Sequence, residues 1–277
     1  MTRRIDGIAG IVARYRLLLV DACGTLHDGR ATLPMTAEAM LRAREAGCVV
    51  VILTNSPQRT DGMVQRMASL GFPRDGYDHV ACSGELAWRD IEARNAARAA
   101  TLHVIEQGAW PPWTAALPNA RVGIDAAELL LAVGMPHPTE AEAEAGRLPR
   151  QLAAASGRGA PLLVADSDVV YPSGGALRLG PGWIAARYAA LGGEVVEYGK
   201  PFDPIYDHAL DLAGGADPAE VLAIGDNLAT DIVGARRRGF DSLLVLEGGV
   251  HGALDSADLA VATARDAPTY LCRNLRW

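Results

Sequence analysis

The chain has 277 residues, about 49% of them hydrophobic, with a formal net charge of -7 and a pI near 5.4. That acidic balance argues against a nucleic-acid binder, whose affinity rests on clustered Lys and Arg, but leaves room for a local site that holds a small anion. The length exceeds a usual single domain and favours one large unit with a smaller inserted one.

Cys23, Cys48, Cys82 and Cys272 are widely scattered and show no CxxC spacing, which suggests neither a zinc site nor a disulfide framework and fits a reducing cytoplasm. The first sustained apolar segment, residues 17–20, is far too short for a signal peptide or a membrane span. The expectation is a cytoplasmic protein with no membrane and no nucleic-acid partner. Among 26 Lys and Arg side chains a single one is lysine, Lys200. In a chain that uses arginine wherever a generic positive charge suffices, a position that keeps Lys points to a need for a compact point charge.

Taken in order, residues 17–20 form an unbroken apolar run that fits a strand covered on both faces, and the run ends in Asp21. A glycine-punctuated stretch, Gly24 to Gly29, can then turn out of the sheet; His27 and Asp28 within it read as catalytic groups or as loop-shaping residues, and stay outside the candidate catalytic set. Residues 36–46 have helical periodicity, and Val49 to Leu53 read as a second buried strand followed by Thr54, Asn55 and Ser56. Pro57 suits the first position of the next helix. A hydroxyl at a strand end beside a free helix N-terminus makes Thr54 a candidate phosphate ligand.

The character changes near residue 84. A helix is expected over 85–100, a second Glu/Ala-rich one over 139–155, and an apolar run at 161–165. Trp110 and Trp113 read as packing residues of an irregular loop or as pocket lining, and Asp166-Ser167-Asp168 as an Asx-type turn or a working carboxylate pair. The core is expected to resume by Gly180-Pro181-Gly182. Further strands are expected at 194–198, 221–224 and 242–246, the last of them closing the sheet, with Lys200 after the first and Asp226 after the second. Strands alternating with helices predict an α/β fold, a doubly wound parallel-sheet core with an inserted α+β cap. The expected division is a discontinuous core of residues 1–83 and 177–277 around a cap of residues 84–176.

Asp21, Asp226 and Asp231 would concentrate negative charge at one sheet edge, and hard oxygen ligands of this kind suit magnesium. Asp21-x-Cys23-Gly24-Thr25-Leu26, Thr54, Gly199-Lys200-Pro201 and Gly225-Asp226-x4-Asp231 resemble, in order, the four motifs of the haloacid dehalogenase (HAD) superfamily. The position of the insertion and the contexts of Lys200 and Asp226 are similar to its class IIA members with a type-2 cap, which include nucleotide, sugar and pyridoxal phosphatases. The resemblance implies a Rossmann-like core and a hydrolase that uses Mg2+ on a small phosphorylated metabolite. It assigns Asp21 as nucleophile and metal ligand and Lys200 as catalytic and phosphate-binding. Thr54 and Asn55 become substrate ligands, the Cys23 backbone carbonyl and Asp226 metal ligands, and Asp231 a ligand or an anchor behind them.

The sequence departs from the phosphatase pattern at Cys23, where those members carry a second Asp as general acid/base. A thiol with a reference pKa of about 8.5 and a carboxyl of about 3.9 are different proton donors. Two alternatives therefore stand beside the phosphatase: a binder of phosphorylated metabolites with weak or no turnover, and a dehalogenase-like hydrolase. Pairing of cap surfaces leaves a homo-oligomer open.

Overall fold

The computed structural model describes residues 2–107, 111–137, 139–173, 176–254 and 265–277; Trp110 lies outside them. The expected apolar runs become parallel strands. Up to the inserted segment the elements are β1 (Arg3–Arg4), β2 (Leu17–Val20), α1 (Thr36–Glu45), β3 (Val49–Thr54), α2 (Thr60–Ser69), β4 (His79–Cys82) and α3 (Ser83–Asn95). Next come β5 (Leu102–Ile105), β6 (Leu129–Ala132), α4 (Glu140–Ala145), α5 (Leu148–Gly157), β7 (Leu162–Val164), β8 (Val170–Ser173), β9 (Ala176–Leu179), α6 (Gly182–Ala190) and β10 (Val195–Glu197). The chain closes with α7 (Asp203–Leu212), β11 (Val221–Gly225), α8 (Val233–Arg237), β12 (Asp241–Val245) and β13 (Tyr270–Cys272).

Seven parallel strands in the order β1-β13-β12-β11-β2-β3-β4 form the main sheet. Successive residues of β2 enter different cores, Leu18 and Val20 on one face, Leu17 and Leu19 on the other. Burial on both faces is why this strand reads as an uninterrupted apolar run instead of an alternating one. Each such leucine contributes roughly 1.5–3 kcal/mol by leaving water. From β2 the chain winds outward through β3 and β4, then returns to β11 on the other side of β2. The order reverses between β2 and β11, and a crevice opens at the carboxyl ends of strands at such a switch point.

The second sheet is also parallel, in the order β10-β7-β6-β5, with β8 and β9 as a separate antiparallel hairpin. Its β10 corrects the expected division at 176/177: Val195 pairs with Leu162 and Glu197 with Val164. Helix α6 packs Trp183, Ile184 and Tyr188 into the same core as Leu130, Leu162 and Val164. The inserted unit therefore runs to Glu197. Gly180-Pro181-Gly182 does mark a helix start, but nothing in those residues says which sheet that helix covers.

Three smaller expectations also shift. Helix α2 begins at Thr60, with Pro57 still in the loop before it, and the Glu/Ala-rich segment breaks into α4 and α5 around Gly146. The last strand is not β12, because β13 and β1 extend the sheet beyond it with segments of three and two residues, too short to show a periodicity. Among the described residues no helix is long and apolar enough to cross a membrane.

Candidate active site

Asp21 leaves β2 at the switch point, and its amide N–H donates to the Ile224 carbonyl at 2.8 Å, tying this strand end to β11. The turn that follows needs glycine: Gly24 has φ +88°, and a Cβ there would strike the Asp226 carboxylate. Asp226 sits just past β11, where its Oδ2 accepts from the Val250 N–H at 2.7 Å. A single π-helical turn, Leu228–Ile232, comes next, capped by the Asn227 side chain, which accepts from the Ala229 N–H at 3.0 Å. This turn carries Asp231 back beneath the strand end.

Lys200 joins these pieces. It is 2% exposed, and its ammonium donates to Asp21 Oδ1 at 2.6 Å and to Asp231 Oδ1 at 2.7 Å. Burial alone would lower its pKa, but the carboxylates of Asp21, Asp231 and Asp168 outweigh burial and hold it well above the ordinary lysine value. The other oxygen of Asp231 accepts from the Asn227 N–H at 3.1 Å. With both oxygens engaged, Asp231 has the geometry of an anchor for Lys200.

Asp21, Asp226 and Asp231 each bring a carboxylate oxygen within 4.8 Å of the others, and all three are buried. Burial, then the charges of Asp21 and Asp231, hold the Asp226 carboxyl well above the usual range. Asp231 is pushed up to about 6 by burial, with Lys200 opposing and Asp21 adding to the shift. Asp21 Oδ2 is buried with no hydrogen-bond partner among the described residues. Clustered buried carboxylates with an orphaned oxygen are short of positive charge, and the donor set fits a hard divalent cation.

Thr54 ends β3 on the other side of Asp21, and its Oγ1 accepts from the Ser56 N–H at 3.2 Å. Ser56 Oγ in turn accepts from the Gln58 N–H at 3.3 Å, so it shapes the loop ahead of α2. Asn55 turns to Lys200 and Asp168: Oδ1 accepts from the Lys200 N–H at 2.6 Å, while Nδ2 donates to the Lys200 carbonyl and to Asp168 Oδ1, both at 3.0 Å. Its amide, expected at the substrate, is spent on placing Lys200. Cys23 borders the cavity, and burial, followed by the nearby Asp21 and Asp226 carboxylates, raises its thiol far above its ordinary pKa. At neutral pH it is a thiol and not a thiolate.

All seven expected site residues line one cavity of about 540 Å³ between the two sheets. Sequence reasoning left part of its lining undecided. Asp166, Asp168 and Tyr171 reach it from the inserted unit, and His27 reaches it from the turn after Asp21. Asp166 and Asp168 do form an Asx turn, with the Asp168 N–H donating to Asp166 Oδ1 at 2.9 Å. They are also brought against the site. Only the pairing of β7 with β6 aims that loop at the core, and no local signal carries the information. Trp113 is outside the cavity and donates from Nε1 to the Pro57 carbonyl at 2.8 Å, strapping the inserted unit to the loop before α2.

Two family models match these same segments: a haloacid dehalogenase-like hydrolase over residues 18–110, with Asp21 and Thr54, and a HAD-hydrolase-like model over 197–277, with Lys200, Asp226 and Asp231. The chain belongs to the haloacid dehalogenase superfamily. Its cap lies between the second and third motifs of that superfamily, the class IIA arrangement. A rat haloacid dehalogenase-like hydrolase domain-containing protein 2 is 29% identical, over 84% of this chain and 85% of its own length. The D-glycerol 3-phosphate phosphatase of Mycobacterium tuberculosis is 28% identical, over 96% of this chain and 71% of its own. Among solved structures, a haloacid dehalogenase-like hydrolase from Brucella suis superposes with a TM-score of 0.82 at 28% identity, covering 99% of this chain and 100% of its own. The p-nitrophenyl phosphatase of Archaeoglobus fulgidus shares the fold, with a TM-score of 0.68 at 24% identity over 94% and 96% of the two chains. The chain is thus a superfamily hydrolase with phosphatases among its relatives.

Proposed function

We propose that this hydrolase cleaves the phosphate ester of a small metabolite, with Mg2+ as cofactor and Asp21 as nucleophile. The observation that carries the reading is the pairing of Asp21 Oδ1 with Lys200 while Oδ2 stays buried and unpartnered among the described residues, next to Asp226. One oxygen is held in place and the other has nothing to bond until a ligand arrives. Asp21, Asp226 and the Cys23 carbonyl would hold the ion. When bound, it neutralises charge on the phosphoryl group and on the carboxylates around it.

The chain's own groups do the rest. Lys200 places a positive charge beside the reacting carboxylate and would stabilise the equatorial phosphoryl oxygens, joined by the Thr54 hydroxyl. Asp21 attacks phosphorus in line with the leaving alcohol; its carboxylate oxygen bonds to phosphorus as the P–O bond to the alcohol breaks, giving an aspartyl-phosphate. Water then attacks the same phosphorus and releases phosphate, restoring the carboxylate. Asp231 and Asn55 keep Lys200 in position.

The test is phosphate release from a panel of phosphorylated metabolites, with and without Mg2+, for the native protein and Asp21→Asn. The expected result is Mg2+-dependent release from the native protein, lost to EDTA and absent in Asp21→Asn. Release that survives the Asp21 change would sink the assignment.

A further inference from the structure

The first-motif position that would carry the acid/base carboxyl is Cys23, whose side chain has no carboxyl to offer. Expelling an alcohol without a proton donor costs a reaction of this kind about 10²–10⁴ in rate. Lining the same cavity, and contributed by the cap, are carboxyls that the proposed chemistry leaves unused, Asp168 and its turn partner Asp166. We infer that Asp168, presented by the cap, is the general acid and base of this enzyme and takes over the work that Cys23 cannot do. The inference rests on the phosphatase reading above.

Three observations carry it. Asp168 lines the cavity together with Asp21, Cys23 and Lys200, so it borders the space that a phosphate ester bound to Asp21 would fill. Its position is fixed from both sides: Oδ1 accepts from Asn55 Nδ2 at 3.0 Å, and its backbone N–H is locked by Asp166. The same Asn55 amide holds the Lys200 carbonyl at 3.0 Å, so one side chain sets the carboxyl and the ammonium in a common frame. A further property agrees with the geometry. Burial, with Lys200 opposing and Asp21 and Asp231 adding, pushes the Asp168 carboxyl up to about 7, where both protonation states are populated near neutrality. Thr54, Asn55 and the Cys23 thiol, which share the cavity, offer no comparable carboxyl.

The proton balance closes. In the first step protonated Asp168 gives its proton to the leaving oxygen as that P–O bond breaks and the Asp21 oxygen bonds to phosphorus. In the second, Asp168 carboxylate takes a proton from the attacking water as the new P–O bond forms and the Asp21–phosphorus bond breaks. The sum is ester plus water to alcohol plus phosphate, with Asp168 protonated again.

The experiment compares Asp168→Asn and Asp168→Glu, each with Cys23 native or changed to Asp, on two esters in Mg2+: p-nitrophenyl phosphate, whose leaving group departs unprotonated, and glycerol 3-phosphate, whose leaving group needs a proton. Read as release of the leaving group in the first turnover, before the shared aspartyl-phosphate is hydrolysed, Asp168→Asn is expected to slow the glycerol ester by about 10²-fold or more and the p-nitrophenyl ester only a few-fold. Asp168→Glu, which keeps the carboxyl, is expected to retain more glycerol-ester activity than Asp168→Asn. In the Cys23→Asp background the Asp168→Asn change should cost only about twofold, because a first-motif carboxyl has been put back. Equal loss of first-turnover release on both esters, or equal loss in both backgrounds, would reduce Asp168 to a support for Asn55 and overturn the inference. No loss on either ester overturns it as well, while a dead Asp21→Asn beside an active native protein leaves the phosphatase reading standing. A native protein inactive on both esters, with and without Mg2+, overturns the reading and this inference together.

Discussion

Asn55 grips Lys200 by both of its backbone polar groups, Oδ1 accepting from the N–H at 2.6 Å and Nδ2 donating to the carbonyl at 3.0 Å. The two residues lie 145 positions apart in the chain, so this clamp is where the end of β3 and the return from the cap are registered against each other. It gives the buried ammonium a fixed origin from which to reach Asp21 and Asp231.

Removing the clamp should therefore act on Lys200 without touching its charge. Asn55→Ala is expected to lower turnover by about 10–100-fold, since small displacements of a catalytic group cost rate steeply. It should also destabilise the fold by roughly 1–3 kcal/mol through the backbone groups left unsatisfied. Steady-state kinetics and urea melts check both, and native-like turnover in the variant would show that other contacts hold Lys200.

Lys200→Arg keeps the charge and changes its shape. The ammonium fits between Asp21 Oδ1 and Asp231 Oδ1 at 2.6 and 2.7 Å in a space 2% exposed, and a planar guanidinium cannot occupy that point without displacing one carboxylate. Activity is expected to fall at least about 10²-fold. Lys200→Met leaves the paired carboxylates uncompensated and is expected to cost about 3–5 kcal/mol of stability. Thermal melts of the two variants separate the geometric effect from the electrostatic one.

Gly24→Ala tests the turn itself. A Cβ at this position meets the Asp226 carboxylate, and φ +88° is strained for alanine. The backbone strain costs about 1–3 kcal/mol, and Asp226 must move out of the cluster. Calorimetric titration with Mg2+ is expected to show weakened binding relative to the native protein. Undiminished Mg2+ affinity would mean that Asp226 is not needed to hold the ion.

His27 supplies a pH dependence with a definite sign. It is buried beside the site, and burial, helped by the Arg66 charge and opposed by Asp28, lowers its pKa to about 4 from the ordinary 6.5. Between pH 4 and 6.5 the unfolded chain binds the extra proton and the folded one does not, so stability rises with pH across that window. The contribution is complete above pH 6.5 and is lost as pH falls toward 4, an effect on the order of 3 kcal/mol. Urea melts at a series of pH values should show that slope in the native protein and a flatter one in His27→Gln.

The strand-end residues were legible in the sequence for a physical reason: a strand buried on both faces is continuously apolar, so the polar residue that ends it stands out. Asp21, Thr54 and Asp226 were all found this way, and Lys200 by its being the only lysine. The cap was harder. β10 has three half-buried residues and no pattern of its own, so its membership in the cap sheet follows only from pairing with β7. Asp168 was visible as a turn residue, but its approach to Asn55 is a tertiary event between positions 113 apart.

The displaced boundary at Glu197 puts Lys200 three residues from the last strand of the cap. The cap's return passage and the placement of the active-site ammonium therefore share a single joint, Tyr198-Gly199. Any shift of the cap's last strand would therefore be felt within three residues by the backbone that carries the ammonium to Asp21 and Asp231.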